Sequence, residues 1–172
     1  MYYILDIQGF KQPNNDHIVK ELAIVPLLED SNPKVFLFKP PYPWRKLDID
    51  LLEVNNWFKC HHHGIPWKSG DIPYNEISNI LREHLKDAKK VIVKGFIIKK
   101  WLKRFKFNVC NINEMGFAGY DNIYHQKFVW VCHHHNGAYK TSCAARNVKL
   151  LKKFYQENVA SLKNMKLEDI DA

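Results

Sequence analysis

Residues 2–39 read YYILDIQGFKQPNNDHIVKELAIVPLLEDSNPKVFLFK, which is three apolar runs separated by turn-forming residues. The runs are rich in β-branched and aromatic residues, which favour strands. The intervening NND and NP sequences are typical of turns. Three strands joined by short connections predict an antiparallel meander. The predicted strands are Tyr2–Asp6, His17–Leu27 and Lys34–Lys39.

Beyond the meander, helical and strand patterns alternate. Pro40 and Pro41 end regular structure, and the next thirty residues are predicted to be irregular. The overall order, β-β-β-α-β-α-β-α, predicts an α/β fold with a mixed central sheet and flanking helices. RNase H-like folds have this same order. The predicted elements are a helix capped by Asp71 and ending near Leu85, a strand at 90–94, a helix at 96–105, a strand at 107–112, a short apolar piece at 128–131 and a helix from Ser142 to about Asn158.

Composition limits the classes of protein and partner. The chain has 172 residues, 46% of them apolar, which fits one domain with a buried core. We expect residues 1–160 to form that domain and residues 161–172 to be a polar tail. The net charge of +8 favours polyanionic partners. No apolar run approaches the length needed to span a bilayer, so no membrane association is predicted. The sequence gives no oligomeric state.

The four cysteines point to metal or thiol chemistry rather than to disulfides. The chain begins without a basic segment before its first apolar run, which argues against secretion and favours an intracellular, cytoplasmic or nuclear location. Cys132, His135 and Cys143 have a spacing that lets a loop and a helix start present three zinc ligands. A fourth ligand must come from elsewhere. The alternative is that no metal binds, with Cys143 buried on the inner face of the helix and the histidines at 133–135 exposed.

A second cluster, Cys60-His61-His62-His63, has no partner cysteine nearby. We expect its imidazoles to be exposed in a loop. The isolated histidines at 17, 84 and 125 are expected to be surface or capping residues. Imidazole titrates near neutral pH, so His62 and His63 are also candidates for general acid–base catalysis.

The carboxylates of a two-metal nuclease are missing. Such enzymes hold two magnesium ions about 4 Å apart with several acidic residues. The first strand offers Asp6 but has Gln8 where a second carboxylate would be expected. Lysines occupy the middle of the second helix, and Ser142 and Asn147 stand where a histidine and an aspartate would be needed. The sequence therefore argues against exonuclease chemistry and allows Asp6 to be only a strand-end residue.

Three short blocks resemble the Maelstrom domain. Val19–Val25 is similar to its second strand, with a glutamate among apolar residues. His63–Pro66 is similar to its His-Gly-Ile-Pro stretch. Cys132 and His135, followed by Cys143–Ala145 at a helix start, resemble its C-terminal metal motif. The 172 residues contain no HMG box, which full-length Maelstrom proteins usually carry before this domain.

The resemblance implies a fold, a metal site and an activity. Maelstrom domains have an RNase H-like fold, are related to DnaQ-type exonucleases and lack the catalytic carboxylates. They chelate zinc through a Glu-Cys-His-Cys set and are associated with weak cleavage of single-stranded RNA and with small-RNA silencing of transposons, in places such as perinuclear granules. Carried over by position, the zinc ligands are Glu21, Cys132, His135 and Cys143.

Basic residues favour RNA as the partner, because cations bind phosphates while aromatic rings stack on bases. If the second and last helices pack on one side of the sheet, their basic residues line one groove. The alternative function is a non-enzymatic adaptor whose protein partner contacts the aromatic loop at 40–67. The predicted RNA-binding residues are Lys94, Lys99, Lys100, Lys103, Arg104, Arg146, Lys149 and Lys153.

Overall fold

The computed structural model describes residues 1–115, 132–135 and 142–158. Within these ranges a mixed sheet has the strand order β3-β2-β1-β4-β5. The first three strands are antiparallel neighbours, which confirms the predicted meander. β4 pairs in parallel with both β1 and β5. The strands are β1 Tyr2–Gln12, β2 Asp16–Pro26, β3 Lys34–Leu37, β4 Lys90–Val93 and β5 Val109–Asn111.

Helices flank the sheet much as the apolar spacing predicted. The helix predicted after Asp71 begins later than expected, because a short 3-10 turn at Tyr74–Glu76 follows Pro73 and no side chain caps it. Asp71 is therefore not its cap. The predicted apolar piece at 128–131 and the tail at 161–172 lie outside the described residues. No helix within the described ranges is long and apolar enough to cross a membrane. The helices are α1 Leu52–Trp57, α2 Ile77–His84, α3 Phe96–Lys103 and α4 Ala144–Asn158.

The sheet has a core on each face. On one face Leu5 and Ile7 pack with residues of α2 and α3, including Trp101. On the other face Ile4 packs with residues of α4, including Val148. This split follows from β geometry, because successive side chains of a strand point to opposite faces. α3 and α4 therefore lie on opposite faces, and the groove that required both on one side does not form.

The aromatic loop contains a helix that the sequence pattern did not reveal. After a 3-10 turn begun by the Asp48 side chain, α1 continues into a π-helical turn at Phe58–His62. The residue that α1 buries is Asn55, whose side-chain amide bonds both backbone polar groups of Lys11. Because a polar residue faces inward while Trp57 is 51% exposed, the apolar periodicity of a helix is absent.

Most aromatic side chains of this loop pack into the fold. Trp67 is buried in a third cluster with Phe10 and Ile18, and Tyr42 and Trp44 pack against it. The buried ammonium of Lys20 donates hydrogen bonds to the backbone carbonyls of Phe38, Trp67 and Ser69, which ties the loop to β2. Of the aromatic residues proposed for an adaptor surface, Trp67 is thus buried, Tyr42 and Trp44 are half-buried and Trp57 is exposed.

Candidate metal centre

Four metal-binding side chains converge between the sheet and the start of α4. Glu21 lies in the middle of β2, Cys132 and His135 lie in a short described segment, and Cys143 immediately precedes α4. One ligand atom from each of the four lies within 4.8 Å of all the others, and all four residues are buried. The chain therefore brings together the set that its sequence predicted, and the cluster could hold a metal ion.

The ligand atoms are slightly closer together than the ligands of a small tetrahedral ion would be. Zn–S bonds of about 2.3 Å and Zn–N or Zn–O bonds of about 2.0–2.1 Å place neighbouring ligand atoms about 3.3–3.8 Å apart. The two thiol sulfurs are 3.6 Å apart, and His135 Nε2 is 3.1 Å from Glu21 Oε1. Cys132 Sγ is 2.7 Å from the same oxygen, because its S–H donates a hydrogen bond there. Replacing that proton with an ion requires an opening of about 1 Å.

Neighbouring backbone groups hold the ligands in orientation. His135 Nδ1 contacts the carbonyl oxygen of His63 at 2.5 Å, so Nδ1 carries the proton and Nε2 faces the cluster. The backbone N–H of Ala144 donates to Glu21 Oε2 at 2.8 Å, which leaves Oε1 for the centre. The backbone N–H of Cys132 donates to Cys143 Sγ at 3.4 Å. Such outer contacts are typical of metal ligands.

The four-residue cluster contains groups that are negatively charged when ionised, and it is buried. Burial would raise the pKa of Glu21, but the nearby His134 ring and the hydrogen bonds with His135 and Cys132 outweigh it and lower that pKa to about 2. The contact with the Cys132 sulfur lowers the pKa of Cys143. That same contact, together with burial, raises the pKa of Cys132 itself. A buried carboxylate beside two thiols that can ionise favours a bound cation.

His134 is a second imidazole close to the centre. Its Nδ1 is 3.5 Å from Cys132 Sγ and 3.6 Å from Glu21 Oε1. Its side chain is 17% exposed, whereas that of His135 is 1% exposed. His135 is the better ligand because its second ring nitrogen is also bonded, as metal-bound imidazoles usually require.

His63 was predicted to be an exposed loop residue, and the structure shows that this is wrong. Its side chain is fully buried, with Nε2 donating to the Gly9 carbonyl at 2.9 Å and Nδ1 accepting from the Ile65 N–H at 3.0 Å. Burial lowers the pKa of His63 to about 3, so the ring stays neutral. Both ring nitrogens are used, which removes His63 as an acid–base candidate. It supports the centre instead, through its carbonyl contact with His135.

A second polar cluster lies one helical turn along α4 from Cys143. Asn147 Nδ2 donates to Asp6 Oδ2 at 2.8 Å, and Gln8 Nε2 approaches the same oxygen at 3.3 Å. Burial raises the pKa of Asp6 to about 7 despite these hydrogen bonds. Asp6 is thus a buried mid-strand residue, and the expectation of a simple strand-end position is wrong. Asp6, Gln8 and Asn147, the positions at which nuclease carboxylates would be expected from the sequence, thus lie together in space.

An open cavity of about 350 Å³ adjoins Asp6 and Asn147. His17, His62 and Lys94 also line it, although the sequence suggested only surface or capping roles for His17. His17 and His62 are both half-buried, and Ser142 Oγ is 3.2 Å from His62 Nδ1.

The predicted RNA-binding residues are divided between the two faces of the sheet. On α3, Lys100 and Lys103 are exposed, while Lys99 pairs with Glu114 at 2.8 Å. Arg104, just after α3, is also exposed and pairs with Asp16 at 2.8 Å.

The basic residues of α4 form a separate set. Lys153 is exposed and lies 3.7 Å from Glu157, and Lys149 is half-buried beside the Cys132 segment. Arg146 is only 6% exposed, so it does not belong to an exposed basic surface as expected.

Comparison with known proteins supports the fold class. The chain is similar to a solved structure of exonuclease X in complex with 5′ overhanging duplex DNA, with a TM-score of 0.53 and 14% identity over 100% of both chains. No protein-family model and no curated protein matches the sequence. The chain therefore has an exonuclease-related, RNase H-like α/β fold. Within that class it carries a buried Glu-Cys-His-Cys cluster that could bind a metal.

Proposed function

We propose that the chain is a zinc-stabilised RNase H-like domain that binds, and weakly cleaves, single-stranded RNA without two-metal exonuclease chemistry. The observation that carries the proposal is the buried convergence of Glu21, Cys132, His135 and Cys143. This is the ligand set that the Maelstrom resemblance implies. By the same resemblance the domain acts in small-RNA silencing of transposons, in the cytoplasm or nucleus.

Zinc is favoured by the chemistry of the donors. Two thiols and an imidazole are soft or borderline ligands, which select zinc over magnesium or calcium. Four protein ligands fill a tetrahedron and leave no position for a reactive water, so the ion is structural. The residues that hold it are Glu21, Cys132, His135 and Cys143.

The Asp6 cluster argues against the two-metal reaction. A pair of divalent ions needs several carboxylates to offset its charge. Within the described residues, Asp6 is the one carboxylate lining the cavity, and Gln8 and Asn147 supply amides. Any cleavage of RNA by this chain therefore needs another mechanism.

RNA binding is supported by charge and by surface position. The net charge is +8, and Lys100 and Lys103 are exposed on α3 near the half-buried Lys94. The similar exonuclease X structure contains duplex DNA, which makes a nucleic acid a reasonable partner for this fold. The preference for single-stranded RNA rests on the Maelstrom resemblance.

Two measurements on one preparation test the proposal. Elemental analysis should give one zinc per chain. Fluorescence anisotropy with a short single-stranded RNA should show affinity that falls steeply between about 50 and about 200 mM salt. The double variant Lys100→Ala/Lys103→Ala should reduce the slope of log affinity against log salt by about 1.4, since each lost phosphate contact contributes about 0.7.

The matched control is Lys39→Ala/Lys68→Ala, which removes two exposed lysines elsewhere on the surface. It should leave the slope unchanged if α3 contacts the RNA. A zinc-free protein, or RNA affinity that does not respond to salt, would contradict the proposal.

A further inference from the structure

The cavity beside Asp6 lies at the position where α/β folds usually bind ligands. It is lined by Asp6, which lies just beyond the part of β1 that pairs in parallel with β4, and by Lys94, which follows the carboxyl end of β4. Residues at or just before the starts of α3 and α4 close its other sides. Open α/β sheets bind ligands in such crevices, outside the carboxyl ends of their strands.

His62 is held in this cavity by two contacts. Its ring stacks on Trp57, with centroids 5.5 Å apart and an interplanar angle of 23°. Its Nδ1 is 3.2 Å from Ser142 Oγ, which fixes one ring nitrogen and leaves Nε2 for proton transfer. His62 ends a π-helical turn, a distortion that occurs often at functional sites. The sequence has Ser142 where a nuclease would need a histidine. In the structure the imidazole of His62, from the loop, contacts this Ser142.

His17 lines the same cavity from the start of β2. It lies near enough to His62 for the two rings to interact electrostatically, and the neighbouring Asp16 carboxylate stabilises its protonated form. Burial lowers the pKa of both imidazoles, which keeps a neutral population available as a base near neutral pH. Lys94 adds a cation to the cavity wall.

Exposed apolar side chains lie at the rim of the cavity. Phe96 is 70% exposed and Ile97 is 38% exposed, and both line the opening. An exposed aromatic ring beside cationic groups suits a nucleobase, which stacks on the ring while its phosphate meets the charge.

We propose that this cavity cleaves RNA by metal-independent transphosphorylation, with His62 as general base, His17 as general acid and Lys94 as the phosphate-binding cation. The inference rests on the proposed RNA binding and names its catalytic residues. His62 Nε2 takes the proton of the ribose 2′-hydroxyl while the O2′–P bond forms and the P–O5′ bond breaks. His17 gives its proton to the departing O5′. The products are a 2′,3′-cyclic phosphate and a 5′-hydroxyl, with no water or metal consumed, and the two imidazoles then exchange protons with solvent.

The test uses a DNA strand that contains a single ribonucleotide, with zinc-loaded protein in magnesium-free buffer. Cleavage is expected after that ribonucleotide, and mass spectrometry should find the cyclic phosphate and the 5′-hydroxyl. His62→Gln and His17→Gln should each slow cleavage by about 100-fold or more, which is the usual contribution of a general acid or base. The control is His61→Gln, at an exposed neighbour that does not line the cavity, and it should cleave at the normal rate.

Ser142→Ala tests the positioning role of the hydroxyl. It should lower kcat with little change in KM, and Ser142→Thr should restore the rate, because threonine keeps the hydroxyl. A purely structural role would instead change thermal stability and would not separate kcat from KM.

Anisotropy with a non-cleavable 2′-O-methyl RNA separates the two proposals. If the wild-type protein does not bind this RNA, the proposed RNA binding is wrong. Normal binding without cleavage would overturn only the catalytic inference. Cleavage that survives in the His17→Gln/His62→Gln double variant, or products with a 5′-phosphate, would also overturn it.

Discussion

Helix α4 begins between two polar sites of opposite character. Cys143, just before the helix, joins Glu21, Cys132 and His135 in a cluster that could hold a metal ion. One turn later Asn147 donates its amide to Asp6, in a cluster with a single carboxylate. The same helix and sheet thus support a cation site and, beside it, a nearly neutral cavity. The same helix and sheet carry both sites, so the identity of the side chains, and not the fold, decides which of them could bind a metal.

The two sites also differ in their outer contacts. At the metal centre, Glu21, Cys143 and His135 each have a hydrogen bond from or to a backbone group. At the cavity, Asn147 Oδ1 is buried without a hydrogen-bond partner among residues 1–115, 132–135 and 142–158. The backbone contacts therefore orient the ligands of the metal centre, whereas the polar groups of the cavity are held by side chains.

The largest effect is expected from breaking the metal centre. Cys143→Ala removes a buried ligand, so zinc content should fall from one per chain to near zero. The free energy of unfolding should fall by more than about 4 kcal/mol, because metal binding contributes directly to folding. Denaturant unfolding and elemental analysis measure the two changes. Cys60→Ala, at an exposed cysteine, is the control and should change neither. Full zinc content in Cys143→Ala would remove that residue from the ligand set.

The next largest effect comes from the buried carboxyl of the cavity. Burial raises the pKa of Asp6 from 3.8 to about 7, so the folded protein holds this proton more tightly than the unfolded chain does. The associated stability is fully present below the unfolded pKa and is lost as pH rises through about 7. Asp6→Asn cannot ionise and should remain more stable than wild type above neutral pH, by about 2–4 kcal/mol.

Unfolding measured at several pH values checks this difference. The control is Asp71→Asn, at an exposed aspartate outside the cavity, and it should follow the wild-type pH dependence. If Asp6→Asn also follows it, the Asp6 carboxyl is ionised without cost in the folded protein, and the account of its burial fails.

Local patterns were sufficient to predict most of the elements. The three apolar runs at the start gave the meander because each strand and turn is encoded by neighbouring residues. The amphipathic spacing of α4 and the close spacing of Cys132, His135 and Cys143 are local in the same sense. Glu21 entered only through the family resemblance, since 111 residues separate it from Cys132.

Features that depend on tertiary contacts could not be predicted. His63 is buried because the Gly9 backbone, at an irregularity of the β1–β2 pairing, accepts its ring N–H. The sequence pattern did not predict α1 because its buried residue is the polar Asn55, whose side chain bonds the backbone of Lys11 in β1. The expected surface position of Arg146 failed because the orientation of α4 is set by contacts that its charge pattern does not show.

Adding carboxylates to the cavity beside Asp6 should turn it into a site that binds a cation. Gln8→Glu/Asn147→Asp places acidic groups around Asp6, and like charges there should destabilise the protein in the absence of metal. Millimolar magnesium should then raise the stability of the variant by about 1 kcal/mol while leaving wild type unchanged. Thermal unfolding with and without magnesium measures this. A wild-type protein that responds equally to magnesium would show that its amides already suffice to bind the ion.

The smallest effect is expected at the spare imidazole of the metal centre. His134 is partly exposed and lies 3.6 Å from Glu21, so His134→Ala should retain zinc and lose no more than about 0.5–1 kcal/mol of stability. His135→Ala should lose the metal, because the only ring anchored by a backbone carbonyl in the described cluster is that of His135. If instead His134→Ala releases zinc and His135→Ala keeps it, the ligand is His134. The His63 carbonyl would then orient a residue outside the metal shell.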